Sequence, residues 1–138
     1  MILLDAQALI ALLRGEAAET QVRELLQSEE TGANAISLAE VVDVLARRHA
    51  IPPDQSWPAL ETLMDGALVA TAVDARIARR AGELRAKHYD RSERPLSMAD
   101  CVVLACALQR DDAVASADQA LLATARDEGI KAIELPTG

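Results

Sequence analysis

The chain opens on Met1-Ile-Leu-Leu-Asp5, an apolar run that starts at the first residue and stops at a carboxylate. Nothing polar alternates within it, so a strand built from it must be buried on both faces. That is the condition of a middle strand in a parallel sheet covered by helices on both sides. In open α/β sheets, ligands lie beyond the carboxyl ends of the strands, where the connections diverge. Asp5 is expected at that edge.

The remaining chain supplies the other strands and their covering helices. Strands are expected at Gly32–Ser37, Leu68–Val73, Ala113–Ser116 and Ile130–Leu135. Helices are expected at Ala8–Gly15, Ala17–Ser28, Leu38–His49, Asp54–Asp65, Ala75–His88, Met98–Gln109 and Gln119–Glu128, several of them closed by a glycine or opened by a capping Ser or Asp. Strands alternating with helices imply βαβ units, a parallel sheet and right-handed crossovers. With 138 residues and no linker or repeat, the expectation is one α/β domain spanning residues 1–138.

No apolar run approaches the ~20 residues that cross a bilayer, and no basic segment with a cleavage site begins the chain, so a cytoplasmic protein is expected. Cys101 and Cys106, on one expected helix, point about 140° apart at roughly 100° per residue and cannot pair. They are expected as small buried thiols, which suits a reducing compartment.

Three further segments bring one acid each to a helix start: Ser37-Leu-Ala-Glu40, Ser97-Met-Ala-Asp100 and Ser116-Ala-Asp118. Each acid has an ordinary explanation. The first two segments match the Ser-x-x-Asp/Glu capping box, and Asp5 and Asp118 can accept amides from the helices that follow them. Asp100 is the hardest to assign to capping alone. Val103, Leu104 and Ala107, one and two turns on, should face the sheet, so its carboxylate leaves a poorly solvated face with no Lys or Arg nearby in sequence. A cation would compensate it, and hard oxygen donors select Mg²⁺ or Mn²⁺. His49 and His88 stand apart near helix C-termini, where a histidine is expected as a surface dipole partner, so no zinc cluster forms. Walker, Gly-x-Gly-x-x-Gly and Gly-x-Ser-x-Gly motifs are absent.

Taken together, Ile2-Leu-Leu-Asp5, Ile36-Ser-Leu-Ala-Glu-Val41, Leu96-Ser-Met-Ala-Asp100 and Ser116-Ala-Asp118 resemble the motifs of the PIN-domain nucleases, and among them the small VapC-like toxins of bacterial and archaeal toxin–antitoxin pairs. The resemblance covers the whole chain. It implies a three-layer domain with a five-stranded parallel sheet of order 3-2-1-4-5 flanked by helices. It also implies an acidic cluster of Asp5, Glu40, Asp100 and Asp118, with Ser116 at the family's hydroxyl position. Asp5, Asp100 and Asp118 are then the expected ligands of one or two Mg²⁺ or Mn²⁺ ions, and Glu40 the holder of a water or the general base of an endoribonuclease. One position departs from the pattern: Ala6 stands where family members often carry Ser or Thr. The competing expectation is a catalytically silent PIN-like module that only binds a partner.

The resemblance further implies a VapB-like antitoxin whose basic tail covers the acids, and a homodimer, for which Trp57 and Met64 are candidate contacts. Net charge is −8, which disfavours broad attraction to RNA. Yet seven of the 14 Lys and Arg residues fall between Arg76 and Arg94, making Arg91 and Arg94 candidates for an RNA-phosphate track that leads to Asp100.

Overall fold

The computed structural model describes residues 1–138. Strand β1, Ile2–Leu4, lies at the centre of a five-stranded sheet of order 3-2-1-4-5. It pairs in parallel with β2 (Thr31–Asn34) on one side and β4 (Ala113–Ser116) on the other; β3 (Leu68–Thr71) and β5 (Ala132–Glu134) form the edges. All pairings are parallel, as the unbroken apolar run at the N-terminus requires. Ile2 and Leu4 enter one core cluster and Leu3 the other, so alternate residues of a single strand serve two separate layers.

The first layer holds α1 (Ala6–Arg14), α2 (Glu19–Ser28), α3 (Ala35–His49) and α4 (Pro53–Asp65). The second holds α5 (Ala75–His88), α6 (Met98–Arg110) and α7 (Gln119–Asp127). In α6, Cys101 through Ala107 are all buried, which explains a helix apolar nearly all round. The two thiols are free and buried, and burial pushes Cys101 up to about 11. Gly32 sits where strands crowd: an added Cβ would lie 2.8 Å from Met1 Sδ and 3.1 Å from the Val69 carbonyl. No helix is long and apolar enough to cross a membrane.

Most boundaries fall within two residues of those expected, and one departs in a way that matters. Gly32–Ser37 was expected to be strand throughout, but the strand ends at Asn34 and α3 begins at Ala35. Asn34 is the cap: its Oδ1 accepts the amides of Ile36 at 2.8 Å and Ser37 at 2.9 Å. Asn is a strong N-cap, and here it satisfies two of the helix's free donors, so the helix starts three residues earlier than Ser37 would allow. Ser37 and Glu40 therefore form no capping box.

Candidate active site

Strands β1, β2 and β4 run in parallel, so Asp5, the start of α3, and Ser116–Asp118 all emerge at the same edge. The chain leaves β1 toward β2 and β3 on one side and toward β4 and β5 on the other. The crevice lies at the seam between β1 and β4. Asp5, Glu40, Asp100 and Asp118 line one cavity there, of about 250 Å³, together with Gln7, Asp43, Arg47, Arg48, Pro95 and Ser97. Four acids spread over 114 positions of sequence thus line one cavity.

Three of them do cap helices. Asp5 Oδ1 accepts the Ala8 amide at 2.9 Å and Asp118 Oδ1 accepts that of Leu121 at 3.0 Å. Ser97 and Asp100 form the reciprocal box in full, with bonds of 3.0 and 3.1 Å. Capping does not exhaust these carboxylates: the second oxygens of Asp100 and Asp118 carry no hydrogen bond, and Glu40, freed from any cap, has both oxygens available. Capping fixes Asp5, Asp100 and Asp118 at helix starts, where each also lines the cavity.

Electrostatics tie the four together. Burial pushes Asp5 up to about 6; bonds from Ser116 and Ala8 oppose the rise, and Asp118 and Glu40 add to it. Asp100 is also pushed up to about 6, first by burial, then by Asp118, with a smaller push from Asp5, while its Ser97 bonds oppose. Glu40 is raised by burial, then by Asp43, and Asp118 contributes after Arg48 has pulled the other way. Asp118 acts on all three. Mutually repelling acids whose ionisation is disfavoured are the setting a hard divalent cation stabilises, and an all-oxygen donor set fits Mg²⁺ or Mn²⁺. As the side chains stand, no three of them are close enough to hold one ion.

Residues 2–133 match the family model described as the PIN domain. The chain belongs to the PIN domain family. Among solved PIN-type structures, the Mycobacterium tuberculosis VapC20, described as a sarcin–ricin loop cleaving toxin, superposes with a TM-score of 0.73 at 20% identity, over 89% of this chain and 94% of that one. A chain of the Rickettsia felis VapBC2 complex bound to a promoter DNA fragment gives 0.71 at 13% identity, over 99% and 100% of the two chains. A chain of FitAcB from Neisseria gonorrhoeae gives 0.67 at 22% identity, over 97% of each. No curated protein sequence matches the chain.

The structure also shows what Ser116, the expected hydroxyl, bonds to, and adds one residue to the cavity lining. Ser116 Oγ, wholly buried, donates to Asp5 Oδ2 in a short hydrogen bond and accepts the Asp118 amide at 3.0 Å. A hydroxyl thus reaches Asp5 from β4 rather than from position 6, where Ala6 has none. Arg48 lines the cavity without having been singled out; only its place two turns beyond Glu40 on α3 hinted at it.

The expected basic track is largely committed elsewhere. Arg94 Nη1 reaches Asp127 Oδ2 at 2.6 Å and stands 3.3 Å from His88 Nδ1, while Arg80 and Lys87 approach Glu128 at 3.6 and 3.0 Å. His88 is not the surface histidine expected: its side chain is nearly buried, with Nε2 2.5 Å from Glu128 Oε2. The physical reason is that the C-terminal end of α7 presents two adjacent acids, Asp127 and Glu128, to the basic end of α5. The Tyr89–Pro95 loop is a tight turn, with Asp90 and Arg94 exchanging backbone bonds and Asp90 Oδ1 accepting two amides. Arg91 remains exposed and without an acidic partner. Of the dimer candidates, Trp57 is 41% exposed, whereas Met64 packs against the core.

Proposed function

We propose that this chain is a Mg²⁺- or Mn²⁺-dependent endoribonuclease, a VapC-like toxin of the cytoplasm that a VapB-like antitoxin neutralises. The observation that carries the proposal is that Asp5, Glu40, Asp100 and Asp118 line one cavity at the seam of the sheet. Asp5, Asp100 and Asp118 would hold one or two ions. Bound there, the metal supplies charge neutralisation at the scissile phosphodiester and acidifies a water. Ser116 orients Asp5 by its hydrogen bond and spaces Asp118 through the backbone. Glu40 is the general base in this scheme: burial and Asp43 raise its affinity for a proton, and no backbone amide competes for its carboxylate. Arg91 remains a candidate contact for the RNA; Arg94 serves only if it leaves Asp127.

The antitoxin proposal rests on charge. Four acids around one cavity offer an arginine of an incoming tail paired hydrogen bonds, in competition with the metal. VapBC complexes from Salmonella typhimurium and Haemophilus influenzae are among the similar structures. A homodimer through the exposed Trp57 face completes the proposal.

Incubation of total RNA with purified protein in Mg²⁺, Mn²⁺ or EDTA tests the activity, with Asp5→Asn as control. Cleavage that needs metal and disappears in Asp5→Asn is expected. Metal-independent cleavage overturns the metal-dependent reading, and no cleavage at all favours the silent partner-binding module, a reading that Ala6 and the unconverged acids support. Calorimetric titration with Mn²⁺ separates the two, since a silent module has no use for the ion.

A further inference from the structure

Nine of the 14 Lys and Arg side chains have a carboxylate within ion-pair distance, leaving Arg48, Arg76, Arg85, Arg91 and Lys131 without one. Arg85 donates to the Leu96 carbonyl at 3.0 Å and lies over the Tyr89 ring at 4.3 Å. Of the five, Arg48 alone lines the acidic cavity. Its neighbour Arg47 also lines it but is clamped to Asp43, with Nη2 2.9 Å from Oδ2 and Nε 3.2 Å from Oδ1.

Arg48 also lines a second trough of about 250 Å³, walled by Ile10, Ala11, Val44, Leu135 and Pro136. Gln7, Ile10, Val44 and Arg48 are common to both, so the trough continues the acidic cavity and Arg48 stands at their junction. A polyanion entering a protein of net charge −8 needs a local cation beside the acids, and the Arg94 side chain is bound elsewhere.

We infer that Arg48 is a substrate-positioning residue that holds the RNA phosphate flanking the scissile one, at the junction of the acidic cavity and the adjoining trough. The inference rests on the nuclease reading. An arginine suits the role because its planar fork pairs two phosphate oxygens, and because an exposed, unpaired side chain gives up no existing ion pair to do so. It acts on the strand rather than on the ions.

The test compares Arg48→Gln and Arg48→Lys in an Asp100→Asn background that suppresses cleavage. Binding of a short fluorescein-labelled single-stranded RNA is followed by anisotropy across KCl concentrations, and Mn²⁺ affinity of the single Arg48 variants by calorimetry. Arg48→Gln is expected to weaken RNA binding on the order of tenfold and to lower the salt slope by about 0.7, while Mn²⁺ affinity does not fall. Arg48→Lys should recover the slope and part of the affinity, since it restores the charge but not the fork. RNA binding by the parent with unchanged affinity and slope in Arg48→Gln overturns the assignment and leaves the nuclease reading standing. A parent that neither binds nor, with Asp100 restored, cleaves RNA ends both. If Arg48→Gln weakens only the complex with a co-expressed antitoxin, the surface serves a protein and the assignment is likewise overturned.

Discussion

Ser116 and Asp5, separated by 111 positions, share a buried hydrogen bond across the seam between β4 and β1, and the same hydroxyl accepts the Asp118 amide. One side chain thereby sets two of the four acids. Ser116→Ala leaves Asp5 Oδ2 and the Asp118 amide without their partner and removes a contact that holds the Asp5 carboxyl down. A loss of about 1–3 kcal/mol in urea unfolding is expected, with Mn²⁺ affinity reduced about 10–100-fold. Ser116→Thr, which keeps the hydroxyl, should retain most of the affinity. Equal Mn²⁺ binding by Ser116→Ala and the parent would dismiss the orienting role.

The cap at the head of α3 yields a second expectation. Asn34→Ala should cost about 1 kcal/mol, because two amides lose their acceptor. Ser37→Ala removes only the acceptor of a 3.2 Å bond from Asn34 Nδ2 and should cost less. Chemical denaturation ranks the pair; the reverse order would restore Ser37 as the cap.

In EDTA, stability should fall as pH rises. The folded-state values of Asp5 and Asp100 lie at about 6, above the ordinary 3.8. For acids raised by folding, the favourable contribution is complete below the unfolded value and disappears as pH climbs through the folded one. The window is therefore roughly pH 4 to 6, and Asp5 alone contributes on the order of 3 kcal/mol across it. Melting curves of the metal-free protein at pH 4.5 and 7.5 measure the effect, and Asp5→Asn should flatten it. Added Mn²⁺ should restore most stability at the higher pH, where protons no longer compete for the acids.

Glu128 has the opposite sign. Its bonds with His88 and Lys87 hold its carboxyl below the ordinary value, so the stability it confers is present above that value and is lost as pH falls through the folded one. Glu128→Gln should destabilise the protein at pH 7 and by less at pH 3.5, as read from urea midpoints. A deficit of the same size at both pH values would mean that packing, not charge, explains the residue.

Much of the architecture was legible in the chain because it depends on local pattern. The unalternated run Met1–Leu4 demands burial on both faces, which puts β1 in the middle, and the capping signals at Asp5, Ser97 and Asp118 mark helix starts beyond it. Parallel strands then carry their following residues to one edge whatever the side chains are, so the approach of Asp5 to Asp118 follows from topology. The end of β2 was less legible, since Ala-Ile-Ser suits strand and helix alike until the Asn34 side chain is seen to take the amides.

Which charges are free was decided only by the tertiary structure. Arg94 and Asp127 are 33 positions apart, and Ser116 and Asp5 further still; whether such side chains meet depends on how α5, α7 and the β1–β4 seam pack. The sequence by itself determined the strand order's centre and the acids at its edge, because periodicity and capping act over a few residues. Packing decided that Arg94 is bound and Arg48 is not, because a side chain's partner is set by distances through space that spacing along the chain does not encode.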